Sequence, residues 1–305
     1  MDRKDRIDAF GALSLVSFAM LLAFNQVVIK VVNDGLQPAF FAGLRSALGA
    51  ICLYGWMRLR GIPLSAPKGT VVPGILAALF FSGEFLLLFL ALDLTTVSRS
   101  AILFYSMPVW LTIGAHFLLP GDALTMRKML GLAAAMAGVV VAIGIRPDSG
   151  EASLAGDIMA LGAAVLWAGT ALLVRGTRLS SVRPEMQLLW QLVLSAPVLL
   201  VAALFFGPLI RDLAPIHLWG LAFQSAVIVS AGFLFWFWLL TIYPASGVAS
   251  FSFLSPVLAV LLGWLLLNET ITPAILVALA LVAVGIVLIN RPARRPRQDA
   301  APAQS

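Results

Sequence analysis

Residues 98–108 have the sequence SRSAILFYSMP, and residues 246–256 have the related sequence SGVASFSFLSP. Other pairs recur at the same distance: Pro38 and Arg45 correspond to Pro184 and Gln191, and residues 22–30 correspond to 167–175, with offsets of 145 to 148 residues. The chain is therefore an internal duplication. Each copy holds five long apolar segments, and because five is odd, the second copy enters a membrane from the opposite side. The halves are predicted to be inverted, an architecture that gives alternating access in secondary transporters.

The composition predicts a polytopic membrane protein. Hydrophobic residues make up 61% of the 305 residues and charged residues 11%, whereas charged residues are about a quarter of a soluble domain. A helix crosses a bilayer with roughly 17–25 apolar residues. Ten such segments are predicted, at 10–32, 39–57, 71–91, 97–119, 129–145, 154–174, 186–206, 218–242, 249–267 and 274–289. The expected fold is an all-α integral membrane protein with ten transmembrane helices in two inverted five-helix repeats.

Basic residues predict the orientation of these spans. With the N-terminus inside the cell, fifteen Lys and Arg lie in cytoplasmic segments and four on the other side. Positive charge is retained in the cytoplasm, so both termini are expected there, in the cell inner membrane. Topology and attraction to anionic lipid account for the net charge of +6, and no nucleic-acid partner is needed.

The predicted units are a first repeat at 10–145, a second repeat at 154–290 and a basic cytoplasmic tail at 291–305. Cys52 is the only cysteine, so helix packing alone must stabilise the fold. Gly131 with Ala135, and Ala274 with Ala278, indicate close helix contacts in spans five and ten. Such pairs are common in apolar helices, and we expect a monomer or a weak homodimer.

The repeated motifs resemble the EamA-type domain of the drug/metabolite transporter superfamily. The resemblance covers most of the chain and rests on four motif groups: residues 25–30 (NQVVIK), Pro38 with Arg45, 106–109 (SMPV) with 121–125, and 254–257 (LSPV) with 268–272. It implies ten helices in two inverted repeats and export of small metabolites or amino acids across the inner membrane. The chain departs from the family pattern at Asp122, where glutamate is common, and at Glu84, which the pattern does not require.

Two charged residues lie deep inside predicted spans, at comparable depth. A charge at the bilayer centre costs about 2.5–3.5 kcal/mol, so Arg45 and Glu84 are the leading substrate-binding candidates. They could hold the carboxylate and the ammonium of a zwitterionic cargo, and Glu84 could carry a coupling proton. Alternatively, they form an ion pair that only fixes two helices. Gln191 replaces Arg45 in the second copy, which predicts an electrostatically asymmetric cavity.

Weaker substrate-binding candidates complete the predicted lining. Asn25 could donate to cargo or hydrogen-bond a neighbouring helix, and the same alternatives apply to Gln187 and Gln224. Lys30 could line the pathway or extend to the membrane interface. Trp167 could wall the pocket, because it stands in the repeat motif beside small residues.

Pro108 and Pro256 occupy equivalent places in spans four and nine. Each proline removes a backbone hydrogen bond and is expected to kink its helix, which predicts matched gating bends. The alternative is that membrane helices simply tolerate proline when neighbours satisfy the freed carbonyl.

Motifs for nucleotide hydrolysis, zinc proteolysis and serine hydrolysis are missing from the sequence, and His116 and His217 have no metal-ligand spacing. We therefore expect no enzyme, cofactor or metal. His116 and His217 are predicted to be solvated or interface residues. The expected function is a secondary transporter that exports amino acids or similar metabolites, for which Glu84 could carry a coupling proton. Alternatives are a transporter of nucleotide-like or other organic anions or drugs, a membrane-embedded lipid-modifying enzyme, and an ion channel.

Overall fold

A computed structural model describes residues 7–119, 124–145, 152–243 and 251–290. Within these residues the chain is helical, apart from one isolated bridge between Leu36 and Ile210. The twelve α-helices are α1 Ala9–Gly35, α2 Pro38–Leu59, α3 Val71–Leu94, α4 Val97–Phe104, α5 Met107–Leu118, α6 Met126–Gly144, α7 Leu154–Gly176, α8 Pro184–Ala203, α9 Pro215–Phe223, α10 Phe233–Ile242, α11 Leu254–Leu267 and α12 Pro273–Asn290.

These helices form the predicted spans. Nine helical stretches in the described residues are long and apolar enough to cross a membrane, and α11 is a shorter apolar helix. Helices α4 and α5 share one span, and α9 continues through a π-helical segment, Gln224–Gly232, into α10. The all-helical fold with about ten spans in two halves is confirmed. Residues 121–123 of the motif at 121–125, and the predicted tail 291–305, lie outside the described residues.

Local sequence sets the helix ends. The side chains of Thr96, Thr125 and Ser153 accept backbone N–H groups in the first turns of α4, α6 and α7, as expected of N-caps. Pro38 and Pro184 are the first residues of α2 and α8, where a missing N–H costs nothing. The matched prolines of the two copies thus mark equivalent helix starts.

The two halves pack against each other along most of their length. Helix α3 lies against α7 and α8, α1 lies against α11, and α2 lies against α8. Helices α6 and α12 approach closely because small residues face each other: a Cβ added at Gly138 would lie 2.8 Å from the carbonyl oxygen of Ala278. The predicted close contact of spans five and ten is confirmed.

One end of the bundle, which faces away from the residues nearest the chain termini, is called the distal end here. It is formed by 33–38, 93–99, 142–145, 153–157, 204–215 and 267–273. Several contacts across it join the two halves. The Arg211 guanidinium donates to both carboxylate oxygens of Asp93 and to the Asn33 carbonyl, and Gln37 donates to the Ala203 carbonyl.

Candidate functional site

The Arg45 guanidinium is buried in α2 without a carboxylate partner. Its Nε and Nη2 atoms have no hydrogen bond, and no carboxylate of the described residues lies within 4 Å of it. Its Cζ lies 3.9 Å from the ring centroid of Phe85 and 5.1 Å from that of Phe89. A cation–π contact contributes about 0.5–2 kcal/mol, which is less than a buried charge costs. The guanidinium therefore retains unused capacity to bind an anion.

Glu84 lies beside Phe85 on α3 and is buried, with 4% of its surface exposed. It is close enough to Arg45 for an electrostatic interaction, as the depth comparison predicted, but the two do not form an ion pair within 4 Å. The two side chains therefore make no direct salt bridge in this structure, and a role in binding cargo stays a prediction.

Both charges lie in one layer of the membrane. Arg45 is seven residues from the distal start of α2 and Glu84 is ten residues from the distal end of α3. At 1.5 Å per residue, they lie about 10 and 15 Å below that end. This depth places them between the distal surface and the middle of the bundle.

The counterpart of Arg45 in the second half is also free to bind. Gln191 is half-buried in α8, and no hydrogen bond to it is found in the described part of the chain. Gln187, one turn earlier, is engaged instead: its Nε2 donates to the carbonyls of Leu179 and Val182, both at 2.8 Å. Those bonds hold the 3₁₀ turn Arg178–Ser181 against α8, so Gln187 has a structural partner where a lining role was predicted.

Three other candidates also have partners in the protein. The Gln224 Nε2 donates to the Asn25 side chain, which joins α1 to the π-helical segment of span eight. The Lys30 Nζ donates to the carbonyls of Leu92 and Thr95 at 3.0 and 2.8 Å. A cation at the carbonyl end of α3 is favourable, because the helix dipole is negative there. Asn25 and Gln224 thus form the interhelical hydrogen bond that was the alternative to cargo binding. Lys30 is held at the end of α3, which agrees with the alternative of an anchoring role.

Trp167 belongs to an aromatic cluster at the end of α4. Its ring stacks on Phe104 at a centroid distance of 4.8 Å and meets Tyr105 edge-on at 6.2 Å. Trp167 is half-buried, whereas Phe104 and Tyr105 are buried. The structure therefore places Trp167 against the break in span four, where it can wall a pocket.

The prolines stand at helix starts and do not bend continuous helices. Helix α4 ends at Phe104, and Pro108 is the second residue of α5. Pro256 is the third residue of α11, which follows turn residues 251–253. In span four the helix breaks over Tyr105 and Ser106, just before Pro108, and proline suits the first turn of the helix that follows. Whether these prolines gate transport stays a prediction.

Sequence reasoning missed a buried ion pair at the distal end. Arg99, one of the four basic residues counted on the outer side, is buried in α4 and donates to Asp157 through Nε at 3.1 Å and Nη2 at 2.5 Å. It also donates to the carbonyls of Ala142 and Ile145, and Thr95 donates to Asp157. The signal was available: Asp157 is an acidic residue at the start of an apolar span.

A second distal contact joins the halves. The Glu269 carboxylate, buried after α11, accepts the backbone N–H groups of Val97 and Ser98 at 2.5 and 2.9 Å and the Ser98 hydroxyl at 2.6 Å. An anion is stabilised at a helix N-terminus, where the dipole is positive. Glu269 belongs to one of the motifs quoted above, and it fixes the start of α4.

The histidine prediction was wrong for His217, which is buried. Its Nδ1 accepts the backbone N–H of Ala214 at 3.0 Å and caps α9, so burial satisfies the ring. Within the described residues, no group of three or more His, Cys, Asp or Glu side chains could hold a metal ion.

Comparison with known proteins gives the family. Residues 9–144 and 154–291 each match the model of the EamA-like transporter family. The chain is 26% identical to the Uncharacterized transporter YoaV of Bacillus subtilis, over 90% of this chain and 95% of that protein. It is 28% identical to a protein of Salmonella typhimurium named a probable amino-acid metabolite efflux pump, over 93% and 94% of the two chains. A solved crystal structure aligns with a TM-score of 0.65 at 20% identity, over 90% of this chain and 95% of that one, which concerns the fold alone.

Proposed function

The chain belongs to the EamA-like transporter family, and we propose that it is a secondary transporter that exports amino acids or similar zwitterionic metabolites. The observation that carries the proposal is the Arg45 guanidinium, buried with two unpaired nitrogen atoms, near a Glu84 carboxylate that it does not contact. A ligand carboxylate on Arg45 and a ligand ammonium on Glu84 would neutralise both charges at once.

An amino acid fits this pair better than an organic anion does. A site for a phosphate ester or a dicarboxylate would need two or more cationic side chains that form charge-assisted hydrogen bonds to the anionic oxygens. The second basic candidate, Lys30, is occupied by the carbonyls at the end of α3. The name of the Salmonella relative, an amino-acid metabolite efflux pump, agrees with the same cargo class.

The distal contacts support alternating access. In this structure the ends of α1, α3 and α4 are bonded to the second half through Arg211, Asp157 and Glu269. The whole of α4 is buried, whereas α5 in the other half of the span buries only Val109 and Ala115. We infer a state that is closed at the distal end, which faces out of the cell if both termini are cytoplasmic. Rocking of the two repeats would open it.

The test is counterflow of radiolabelled amino acids in proteoliposomes that contain the full chain. Arg45→Ala and Glu84→Gln should each lower the initial rate at least tenfold, because each removes one charge that binds the cargo. Matched controls are Arg58→Ala, at the exposed end of the same helix, and Glu185→Gln, at the start of α8. Transport that survives both site variants in folded protein contradicts the proposed site.

Proton coupling is tested separately. If Glu84 carries the coupling proton, an imposed pH gradient should drive accumulation in the wild-type protein but not in Glu84→Gln. If uptake by both proteins does not depend on the pH gradient, Glu84 does not carry the coupling proton. The proposed contact between Glu84 and the ligand is not affected by that result.

A further inference from the structure

Three polar side chains meet where spans one, four and nine approach each other. Gln26 of α1 is 1% exposed, and neither its amide nitrogen nor its amide oxygen makes a hydrogen bond of normal distance and angle. The Tyr105 hydroxyl lies within interaction distance of the Gln26 and Ser255 side chains, and Tyr105 and Ser255 are buried. The three residues come from both halves of the chain.

A buried amide with no partner is unusual in a native structure. The large majority of buried polar side-chain atoms are hydrogen-bonded, and an exception costs free energy that an apolar residue of similar size would avoid. The Tyr105 hydroxyl beside Gln26 does not satisfy the amide, whose nitrogen and oxygen both lack a well-formed hydrogen bond. A ligand that bonds to these unsatisfied atoms would recover the cost of burying them.

The place of this cluster also indicates a ligand site. Tyr105 stands at the break between α4 and α5, and Ser255 is the second residue of α11 in the equivalent span of the other half. Interrupted helices line substrate sites in transporters built from inverted repeats. Gln26 is nine residues before the distal end of α1, about 13 Å deep, in the layer of Arg45 and Glu84.

We propose that Gln26, Tyr105 and Ser255 form a subsite for an uncharged hydrogen-bonding group of the cargo, a hydroxyl or a carboxamide. The proposal rests on the proposed function, because Arg45 and Glu84 would hold the charged groups of the same molecule. An amide and two hydroxyls supply both donors and acceptors without net charge. Trp167, stacked beside Tyr105, gives the subsite an aromatic wall.

The test is selectivity between cargo molecules of equal shape. Counterflow in proteoliposomes is measured with threonine against valine and with glutamine against methionine. The wild-type protein should transport the polar member of each pair at least tenfold faster, because the apolar member leaves the Gln26 amide unpaired. Gln26→Leu should reduce this ratio to about one, by lowering the rate for threonine and not for valine. Tyr105→Phe should reduce it in part.

Stability of the ligand-free protein separates this role from a structural one. Gln26→Leu and Gln26→Met remove an unsatisfied amide, so the melting temperature in detergent should rise or stay unchanged. A structural hydrogen bond at Gln26 predicts a lower melting temperature. Thr241→Val is the control, because its exposed hydroxyl bonds only to the Trp238 carbonyl of its own helix.

The outcomes distinguish the two proposals. Equal transport of threonine and valine by the wild-type protein, with both lost in Arg45→Ala, overturns the subsite and supports the proposed function. No transport of any amino acid by the wild-type protein overturns both. Unchanged selectivity in folded Gln26→Leu and Gln26→Met also overturns the subsite. If Gln26→Leu does not fold, Gln26→Met and Ser255→Ala decide the question.

Discussion

Replacement of Asp157 by alanine should strongly destabilise the fold. Asp157 is fully buried and is the carboxylate partner of Arg99. Removal of one partner of a buried ion pair costs about 3–5 kcal/mol, because the other charge stays buried. Arg99 would keep its bonds to the carbonyls of Ala142 and Ile145, so the expected loss is at the lower limit, about 3 kcal/mol. This value corresponds to roughly a 150-fold change in the unfolding equilibrium.

The free energy of unfolding is measured by titration with sodium dodecyl sulfate in mixed micelles, followed by circular dichroism. Asp93→Ala is the matched control, because Asp93 pairs with Arg211 at the partly exposed distal surface. Exposed pairs contribute about 0–1 kcal/mol. The double variant Asp157→Leu with Arg99→Met should recover most of the loss, since no unpaired charge remains. Equal costs for Asp157→Ala and Asp93→Ala would refute the reasoning.

Two further outcomes are expected from the same titration. Gly138→Ala should cost about 1–3 kcal/mol of unfolding free energy, because the new methyl group would lie 2.8 Å from the Ala278 carbonyl oxygen. The control is Gly144→Ala, which should cost less than about 1 kcal/mol because a Cβ there meets no atom within 4 Å. Equal costs for the two variants would contradict the close packing of α6 and α12. The hydrogen bonds that Arg211 donates to Asp93 raise the pKa of Arg211. The stabilisation by this pair is therefore fully present below the unfolded pKa of arginine and is lost only as the pH rises through the raised folded-state pKa. The difference in stability between the wild-type protein and Arg211→Gln should therefore be constant from pH 6 to 9, and a difference that falls within this range would contradict the assignment.

The fold followed from the sequence because membrane spans have a strong and simple signal. Apolar segments of the necessary length predicted the helices, and the repeated motifs predicted two halves. Proline predicted a kink at Pro108, but apolarity did not show that one helix ends at Phe104 and the next begins at Met107. The π-helical segment of span eight was missed for the same reason.

The site was predicted less completely than the fold. Arg45 and Glu84 were found because charges in apolar spans are rare, and the structure places them near each other. Asn25, Lys30, Gln187 and Gln224 were chosen on polarity alone, and each has a partner in the protein. A hydrogen bond between distant segments cannot be read from one residue. Gln26 differs from these residues because its amide atoms lack a well-formed hydrogen bond, which only the structure shows.

The contact between Glu269 and the start of α4 makes one repeat depend on the other. A carboxylate of the second copy completes the first turn of a helix in the first copy, and Arg99 of that helix pairs with Asp157 of the second copy. The first copy therefore lacks groups that α4 needs. The first repeat produced alone would keep the Thr96 cap, but it would lack the Glu269 carboxylate at the start of α4 and the Asp157 partner of Arg99. The fused duplicate has thus become an obligate unit, whose halves cannot be exchanged for two identical subunits without losing these contacts.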